Sequence, residues 1–251
     1  MDGSHVRNIE LARLCCERAD RFVGSQSLSL SHLFLLGRIW LRLNRVPSIT
    51  LDVGNDWEAE LIRGSLDRRS FGFRTALHRA ASVLAIDAGS NSLQGSRFST
   101  LRRMDRKAAR IGITCRAVLS HEREHLLDQA IRFETENPDA RYRRESPNSH
   151  GLRQTSLWLA AFSSDGVPLA LSVTPTSGDV ALLRYMRTLQ PPPEASLARY
   201  ALTAELVRTL SEMQVRHLID SVSPLALPCT LRHFATMVGF RIMRASIASS
   251  R

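Results

Sequence analysis

Lysine is nearly missing from this 251-residue chain: of 34 cationic residues only Lys107 is a lysine, and the others are arginines. Cysteine is scarce, with four residues. Cys15 and Cys16 are adjacent, Cys115 and Cys229 lie far apart, and no Cys-x-x-Cys pair occurs. That excludes a disulfide framework and a zinc finger, and leaves plain buried thiols as the expectation. Long apolar runs are absent too. The best candidate, Leu33 to Leu43, is broken by Arg38 and Arg42, so nothing reaches the roughly 20 apolar residues of a membrane span. The start, Met-Asp-Gly-Ser-His, has no basic region followed by an apolar stretch, so no signal peptide is read and the cytoplasm is the expected location. There is no Gly-x-Ser-x-Gly elbow, no Gly-x-x-x-x-Gly-Lys loop and no Gly-x-Gly-x-x-Gly, which removes the signatures of α/β hydrolases, P-loop proteins and dinucleotide-binding folds.

What remains is an ordinary globular composition, 43% hydrophobic and 23% charged, in a chain long enough for one large domain or two small ones. The net charge of +10 predisposes it towards phosphate-bearing partners: nucleic acid, a CoA-type nucleotide or an anionic membrane surface.

Periodicity gives the elements. Val6 to Phe22 has approximate helical spacing, with Gly24 as a stop. Ser29 or Ser31 can cap a second helix to about Leu43, with Leu33, Leu36, Ile39, Trp40 and Leu43 on its inner face. Ser48 to Val53 reads as a strand, Asp56 as the cap of a helix through Leu66, and Ser82 to Asp87 as a short β-rich run. A Gly, Ser and Asn-rich loop, Ala88 to Ser96, precedes a very basic helix, Arg97 to Ile111, which ends on Gly112. A strand, Ile113 to Leu119, and a helix capped by Ser120 and running to about Glu136 follow; Asn137 to Gln154 is a polar loop. Trp158 to Phe162 and Val167 to Val173 flank Ser164-Asp165-Gly166, a strong hairpin signal. Asp179 to Thr188 reads as a third strand. Then come Pro191-Pro192-Pro193, a helix Ala195 to Met213, a strand Arg216 to Val222, a helix Leu231 to Val238 ending at Gly239, and a last strand, Phe240 to Ile247.

His121-Glu122-Arg123-Glu124-His125 satisfies the zinc-protease pattern His-Glu-x-x-His, in which two histidines one turn apart bind metal and the glutamate activates water. Against it, Ser120 places the motif in the first helical turn. Both histidines also project roughly opposite to the apolar face of Leu126, Leu127, Ala130 and Ile131. The expectation is a solvated helix start and no metal site, with a zinc hydrolase kept as an alternative.

The order strand, strand, strand, helix, strand, helix, strand from Trp158 onward resembles the core of the GNAT acyltransferase superfamily. The closing Leu231-Arg232-His233-Phe234-x-x-x-x-Gly239-Phe240-Arg241 is similar to that superfamily's final helix and strand. Leu101-Arg102-Arg103-x-x-Arg106-Lys107-Ala108-x-x-x-Gly112-Ile113 resembles the basic helix of Fem-type aminoacyl transferases and the C-terminal domain of lysyl-phosphatidylglycerol synthases. The resemblance implies an α/β (α+β) fold, with a mixed, mostly antiparallel central sheet flanked by helices. It places a partly helical region, or a reduced GNAT-like half, at residues 1–95 and the acyltransferase domain at 96–251. It further implies transfer of an acyl or aminoacyl group to an amine by direct attack, from acyl-CoA or aminoacyl-tRNA as co-substrate and with no permanently bound cofactor. Donor phosphate falls to Arg187, Ser196 and Arg199, and catalytic or substrate-binding roles to Tyr200, Asp220 and Ser223. One departure stands out. Where acyl-CoA enzymes carry glycines, this chain has Gln190-Pro191-Pro192-Pro193-Glu194, and proline donates no N–H. That favours an aminoacyl-tRNA donor, or a GNAT-fold interaction module that no longer catalyses.

Overall fold

The computed structural model describes residues 3–22, 30–67, 77, 79–87, 92–137, 143, 147 and 149–248. The elements, in chain order, are α1 (Gly3–Phe22), α2 (Leu30–Leu43), β1 (Ser48–Leu51), α3 (Trp57–Leu66), β2 (Ala80–Ala85), α4 (Ser99–Arg110), β3 (Thr114–Ala117), α5 (Arg123–Thr135), β4 (Leu157–Phe162), β5 (Pro168–Thr174), β6 (Thr176–Ser177), β7 (Val180–Leu183), β8 (Tyr185–Thr188), α6 (Glu194–Glu212), β9 (His217–Asp220), α7 (Cys229–Val238) and β10 (Arg241–Ile247). The expected stop at Gly24, the cap at Ser29, part of the Ala88 to Ser96 loop and most of the polar loop after Asn137 lie outside the described residues.

Two compact units result. The first contains Met1–Ala85, Ser177–Val180 and His217–Arg251; the second contains Ile86–Thr176 and Ala181–Arg216. The chain thus leaves the first unit after Ala85 and returns to it at both Ser177 and His217, whereas the sequence reading drew one boundary, at 95/96.

The first unit is built on strands ordered β1-β10-β2-β9. β1 runs parallel to β10, with Ser48 opposite Arg244; β10 and β2 are antiparallel, with Ile242 opposite Ser82; and β2 pairs antiparallel with β9, Val83 opposite Ile219. Beyond β9, His217 N–H donates to Asp179 O (3.1 Å). β1 reaches only as far as Arg244, and Asn8 takes over where it stops: its side-chain amide donates to Ile242 O at 2.8 Å and accepts from Ile242 N–H at 3.0 Å. Leu11, Leu14 and Cys15 of α1 pack with Leu35, Ile39 and Leu43 of α2, and with Val46, Ala80 and Ile242. The inner face of α2 agrees with the sequence reading at Ile39 and Leu43 and departs from it at Leu33 and Trp40, which are exposed, because Leu35, Ile39 and Leu43 recur every four residues and take the core position. Asp56 caps α3 as expected, accepting from Ala59 N–H at 2.7 Å.

The second unit holds the sheet β3-β4-β5-β8, all antiparallel. β4 and β5 are buried along almost their whole length, which requires cover on both faces. Trp158, Ala160 and Phe162 of β4 and Leu171 and Val173 of β5 share a core with Leu126, Leu127 and Ala130 of α5 and with Leu152, Tyr185 and Leu189. The alternate residues face the other way, where α6 packs with an alanine-rich inner stripe, Ala195, Ala198, Ala201 and Ala204. The hairpin forms as expected: Ser163 N–H donates to Val167 O (2.9 Å) and Gly166 N–H to Ser163 O (3.0 Å). The third strand is corrected. Asp179 to Thr188 is broken where Arg184 N–H donates to Leu182 O (2.7 Å), a tight turn that separates β7 from β8, and among the described residues these two strands belong to different sheets. The whole is a mixed, mostly antiparallel α+β fold.

Candidate functional site

The second unit carries most of the candidate residues. Its basic helix, α4, turns Leu101 and Ala108 inward against α6. Asp105 pairs across that contact with Arg208, which also bonds Glu205 at 3.1 Å. Two arginines are engaged at the helix's start, Arg97 in the turn just before it and Arg102 within it. Arg97 pairs with Asp87 at 2.5 Å and lies over the Phe98 ring, and Arg102 donates to Leu93 O and Gly95 O. The cations left over are Arg103, Arg106, Lys107 and Arg110, at i, i+3, i+4 and i+7, all exposed. This spacing puts them on one stripe, and none has an acidic partner among the described residues. The helix ends as expected at Gly112, whose φ is +79°. A Cβ there would also lie 2.9 Å from Ser164 Cβ in the hairpin turn.

Beside that turn is a groove of about 370 Å³, lined by Ile111, Ile113, Ser163, Ser164, Asp165, Val167 and Leu169, and by Gln190 to Glu194 ahead of α6. A donor pyrophosphate needs free amides or cations at such a helix start. Here Pro191, Pro192 and Pro193 offer no N–H, Ser196 N–H is already bonded to Pro193 O (3.1 Å), and the charged lining residues are the carboxylates Asp165 and Glu194. Ser196 itself is exposed in the first turn. Arg199 and Tyr200 are half-buried farther along α6, and Arg199 O accepts from Thr203 Oγ1 at 2.7 Å.

Arg187 lies on β8, where its guanidinium is paired with Glu134 and lies over the Tyr185 ring, 4.7 Å from its centroid. Tyr185 Oη donates to the other oxygen of Glu134 at 2.8 Å. The glutamate is buried, its side chain 7% exposed, while the arginine is 39% exposed, so the carboxylate anchors a guanidinium that reaches the surface. Burial, followed by the neighbouring Glu134 charge, pushes the Tyr185 hydroxyl well up, so it stays a donor. None of the motifs singled out above includes this cluster, although the sequence carries a signal for it: Glu134 continues the apolar register of Leu127, Ala130 and Ile131, where an acid requires a partner.

The His-Glu-x-x-His segment is arranged for another purpose. Ser120–Glu122 form a short 3-10 turn, and α5 begins only at Arg123. Glu122 is gripped by Arg116 through two bonds, of 2.7 and 2.6 Å, and accepts from Leu119 N–H at 3.0 Å. Together these hold its pKa down at about 2. Leu119, not Ser120, stands at the N-terminal boundary, and the helix-start bond comes from the glutamate reaching back. His121 and His125 are exposed, and among the described residues no three His, Cys, Asp or Glu side chains are grouped to hold a metal.

Asp220 and Ser223 belong to the first unit. Asp220 Oδ1 accepts from Val222 N–H at 2.9 Å, and Ser223 Oγ from Leu225 N–H at 3.3 Å. Both are turn-forming bonds at the end of β9. The six residues chosen from the sequence are therefore divided between the two units.

No family model and no curated protein matches the sequence. Solved structures do. FemX matches with 10% identity over 66% of this chain and 60% of its own, at a TM-score of 0.50. L-PGS from Bacillus licheniformis has 16% identity over 65% and 57%, TM-score 0.48. The C-terminal domain of a lysylphosphatidylglycerol synthetase assignment from Agrobacterium fabrum has 18% over 65% and 60%, TM-score 0.49. The chain spans about 60% of the length of these structures. At such identities the likeness concerns fold alone, and the FemX comparison carries it: this chain has an α+β fold like that of FemX, in line with the Fem-type resemblance.

Proposed function

We propose that the protein is an acyl or aminoacyl transferase whose donor group arrives on a nucleic-acid carrier of the aminoacyl-tRNA kind. The observation that carries this is the α4 stripe of Arg103, Arg106, Lys107 and Arg110, exposed and without acidic partners among the described residues. Four cations along one helix face meet successive phosphates of a polyanion better than a single pyrophosphate. The proline-bearing start of α6, with carboxylates beside it, argues in the same direction, against acyl-CoA. The fold shared with FemX and the Fem-type resemblance of α4 supply the reaction class. In that chemistry an acceptor amine attacks the ester carbonyl of the donor, the ribose oxygen leaves with a proton, and the ammonium proton passes to a base. Positioning and an oxyanion donor supply most of the acceleration. Arg187, Ser196, Arg199 and Tyr200 in the second unit, and Asp220 and Ser223 in the first, are the side chains to substitute in mapping that step.

The test is tRNA binding as a function of salt. Wild type should bind, with log K falling steeply as salt rises. Arg103→Glu with Arg110→Glu should weaken binding at least tenfold and flatten the slope by about 1.4, at roughly 0.7 per lost phosphate contact. Unchanged affinity and slope would sink the reading. Acetyl-CoA should give no thermal stabilisation; a ligand at 100 times its Kd adds about 2.7 kcal/mol, so a saturable shift would move the donor to CoA. The second reading, a GNAT-fold module that binds but does not catalyse, is favoured by the absence of a phosphate cradle at α6. It predicts tRNA binding without transfer from charged tRNA to any amine.

A further inference from the structure

Helix α2 is apolar on two sides. Leu35, Ile39 and Leu43 are buried in the first unit. Leu30, Leu33, Phe34, Gly37 and Leu41, at i, i+3, i+4, i+7 and i+11, form a second stripe on the opposite side, with Trp40 at its edge. That stripe is bare: Leu30 is 86% exposed, Phe34 72%, Leu41 54%, Leu33 50% and Trp40 46%. A surface helix ordinarily has one apolar stripe, facing the core, and a contiguous exposed patch of this kind marks a contact surface.

Cations flank it. Arg38 and Arg45 are exposed on one side of the stripe, with Arg42 half-buried next to them. Together with Arg13 of α1 they line a groove of about 510 Å³ that also holds Glu10 and Glu17. Arg42 pairs with Glu10 at 2.9 Å. Arg13, Arg38 and Arg45 have no acidic partner among the described residues, so the groove keeps an excess of positive charge.

We propose that the outer face of α2 docks the protein on an anionic phospholipid surface, with Leu30, Leu33, Phe34 and Leu41 in the acyl boundary and Arg13, Arg38 and Arg45 on the headgroup phosphates. Helices of this pattern lie in the plane of the interface, sunk by roughly 5–10 Å, and a tryptophan at the edge suits the headgroup level. Spanning is ruled out for α2 by its 14 residues and by Arg38 and Arg42. Charge decides between a bilayer and a second copy of the chain: a self-contact through α2 brings its arginine row against the same row, whereas a layer of phosphates neutralises it. The proposal is independent of the transferase reading.

The test is flotation of the full chain with vesicles of phosphatidylcholine alone and of phosphatidylcholine with phosphatidylserine. Wild type floats with the anionic vesicles, stays behind with the neutral ones, and shows a blue shift of tryptophan emission that Trp40→Phe removes. Phe34→Asp with Leu41→Asp, and separately Arg38→Glu with Arg45→Glu, each lower the partition coefficient at least tenfold; all four sites are at the surface, and an unchanged melting temperature confirms the fold. Wild type that ignores anionic vesicles overturns the proposal, as do variants that float equally well. A dimer in solution that the Phe34/Leu41 variant splits, without flotation, assigns the face to a second copy instead and equally overturns it.

Discussion

An acid in the apolar register of a helix is tolerated only when its charge is met, and Glu134 is met twice, by Arg187 and by the Tyr185 hydroxyl. Removing one partner of an ion pair is most destabilising, by about 3–5 kcal/mol, when the charge left behind is out of water's reach. Arg187→Met leaves the buried Glu134 carboxylate with only the Tyr185 hydroxyl and should lower stability by about 1–3 kcal/mol in urea unfolding, less than the full figure because the guanidinium it removes is itself 39% exposed. Glu134→Gln leaves a guanidinium that water reaches and should cost less than Arg187→Met. Equal effects would show that the carboxylate is not the buried anchor. Glu122 gives a pH prediction. Its pKa is held at about 2, against an ordinary 4.5, by Arg116 first and the Leu119 amide next. A depressed acid stabilises the fold fully above about 4.5, and that contribution is lost as pH falls towards about 2. Glu122→Gln should flatten the acid side of a melting-temperature profile in that window and change little near neutrality. Of the thiols read as buried, Cys15 is buried and Cys16, Cys115 and Cys229 are half-buried; desolvation pushes Cys15 up to about 11 and Cys115 up to about 12. Iodoacetamide at pH 8 should leave both unmodified in the native protein, as a thiol rather than a thiolate is a poor nucleophile.

At the scale of elements, local chemistry and long-range packing part company. The cap at Asp56, the turn at Ser164-Asp165-Gly166 and the glycine after α4 were legible because each depends on residues within a few positions of one another. Gly112 adds something the sequence does not hold. With φ at +79° and Ser164 Cβ 2.9 Å from the site of a new methyl, Gly112→Ala should cost more than about 1 kcal/mol, measured by chemical denaturation, whereas the loss expected from a free C-terminal glycine is smaller. Gly178 is the stronger case that sequence gave no sign of: at φ +60° its Cβ would fall 2.2 Å from Asp52 O, a backbone atom distant in the chain. The placing of Leu33 and Trp40 on the inner face of α2 fails for a related reason. Both of its faces are apolar, and only the position of α1 and β10 selects Leu35, Ile39 and Leu43 for the core.

For the whole molecule, chain order and spatial order differ. β10, at the C-terminus, lies between β1 and β2, and β9 pairs with β2. A fragment starting at Ser96 therefore retains β10 but loses β1 and β2, the strands on both its sides. In that fragment the amides of Arg241–Ile247 should exchange with solvent within the dead time, while β4 and β5, whose partners β3 and β8 remain, keep slow exchange. Protection of β10 in the fragment would refute this account. The net charge of +10 acts at the same scale: whichever phosphate surface is bound, the affinity should fall with salt.

The sequence by itself determined the element types, the α+β class, the hairpin, the basic stripe of α4 and the proline-rich approach to α6, because periodicity, turn chemistry and missing N–H groups are properties of neighbouring residues. Only the tertiary structure decided that Asp179 to Thr188 splits between two sheets, that Glu134 secures Arg187, that Glu122 is held by Arg116, and that the outer side of α2 is left bare. Each of these depends on which distant segment supplies the partner, and pairing across tens of residues leaves no periodic trace along the chain.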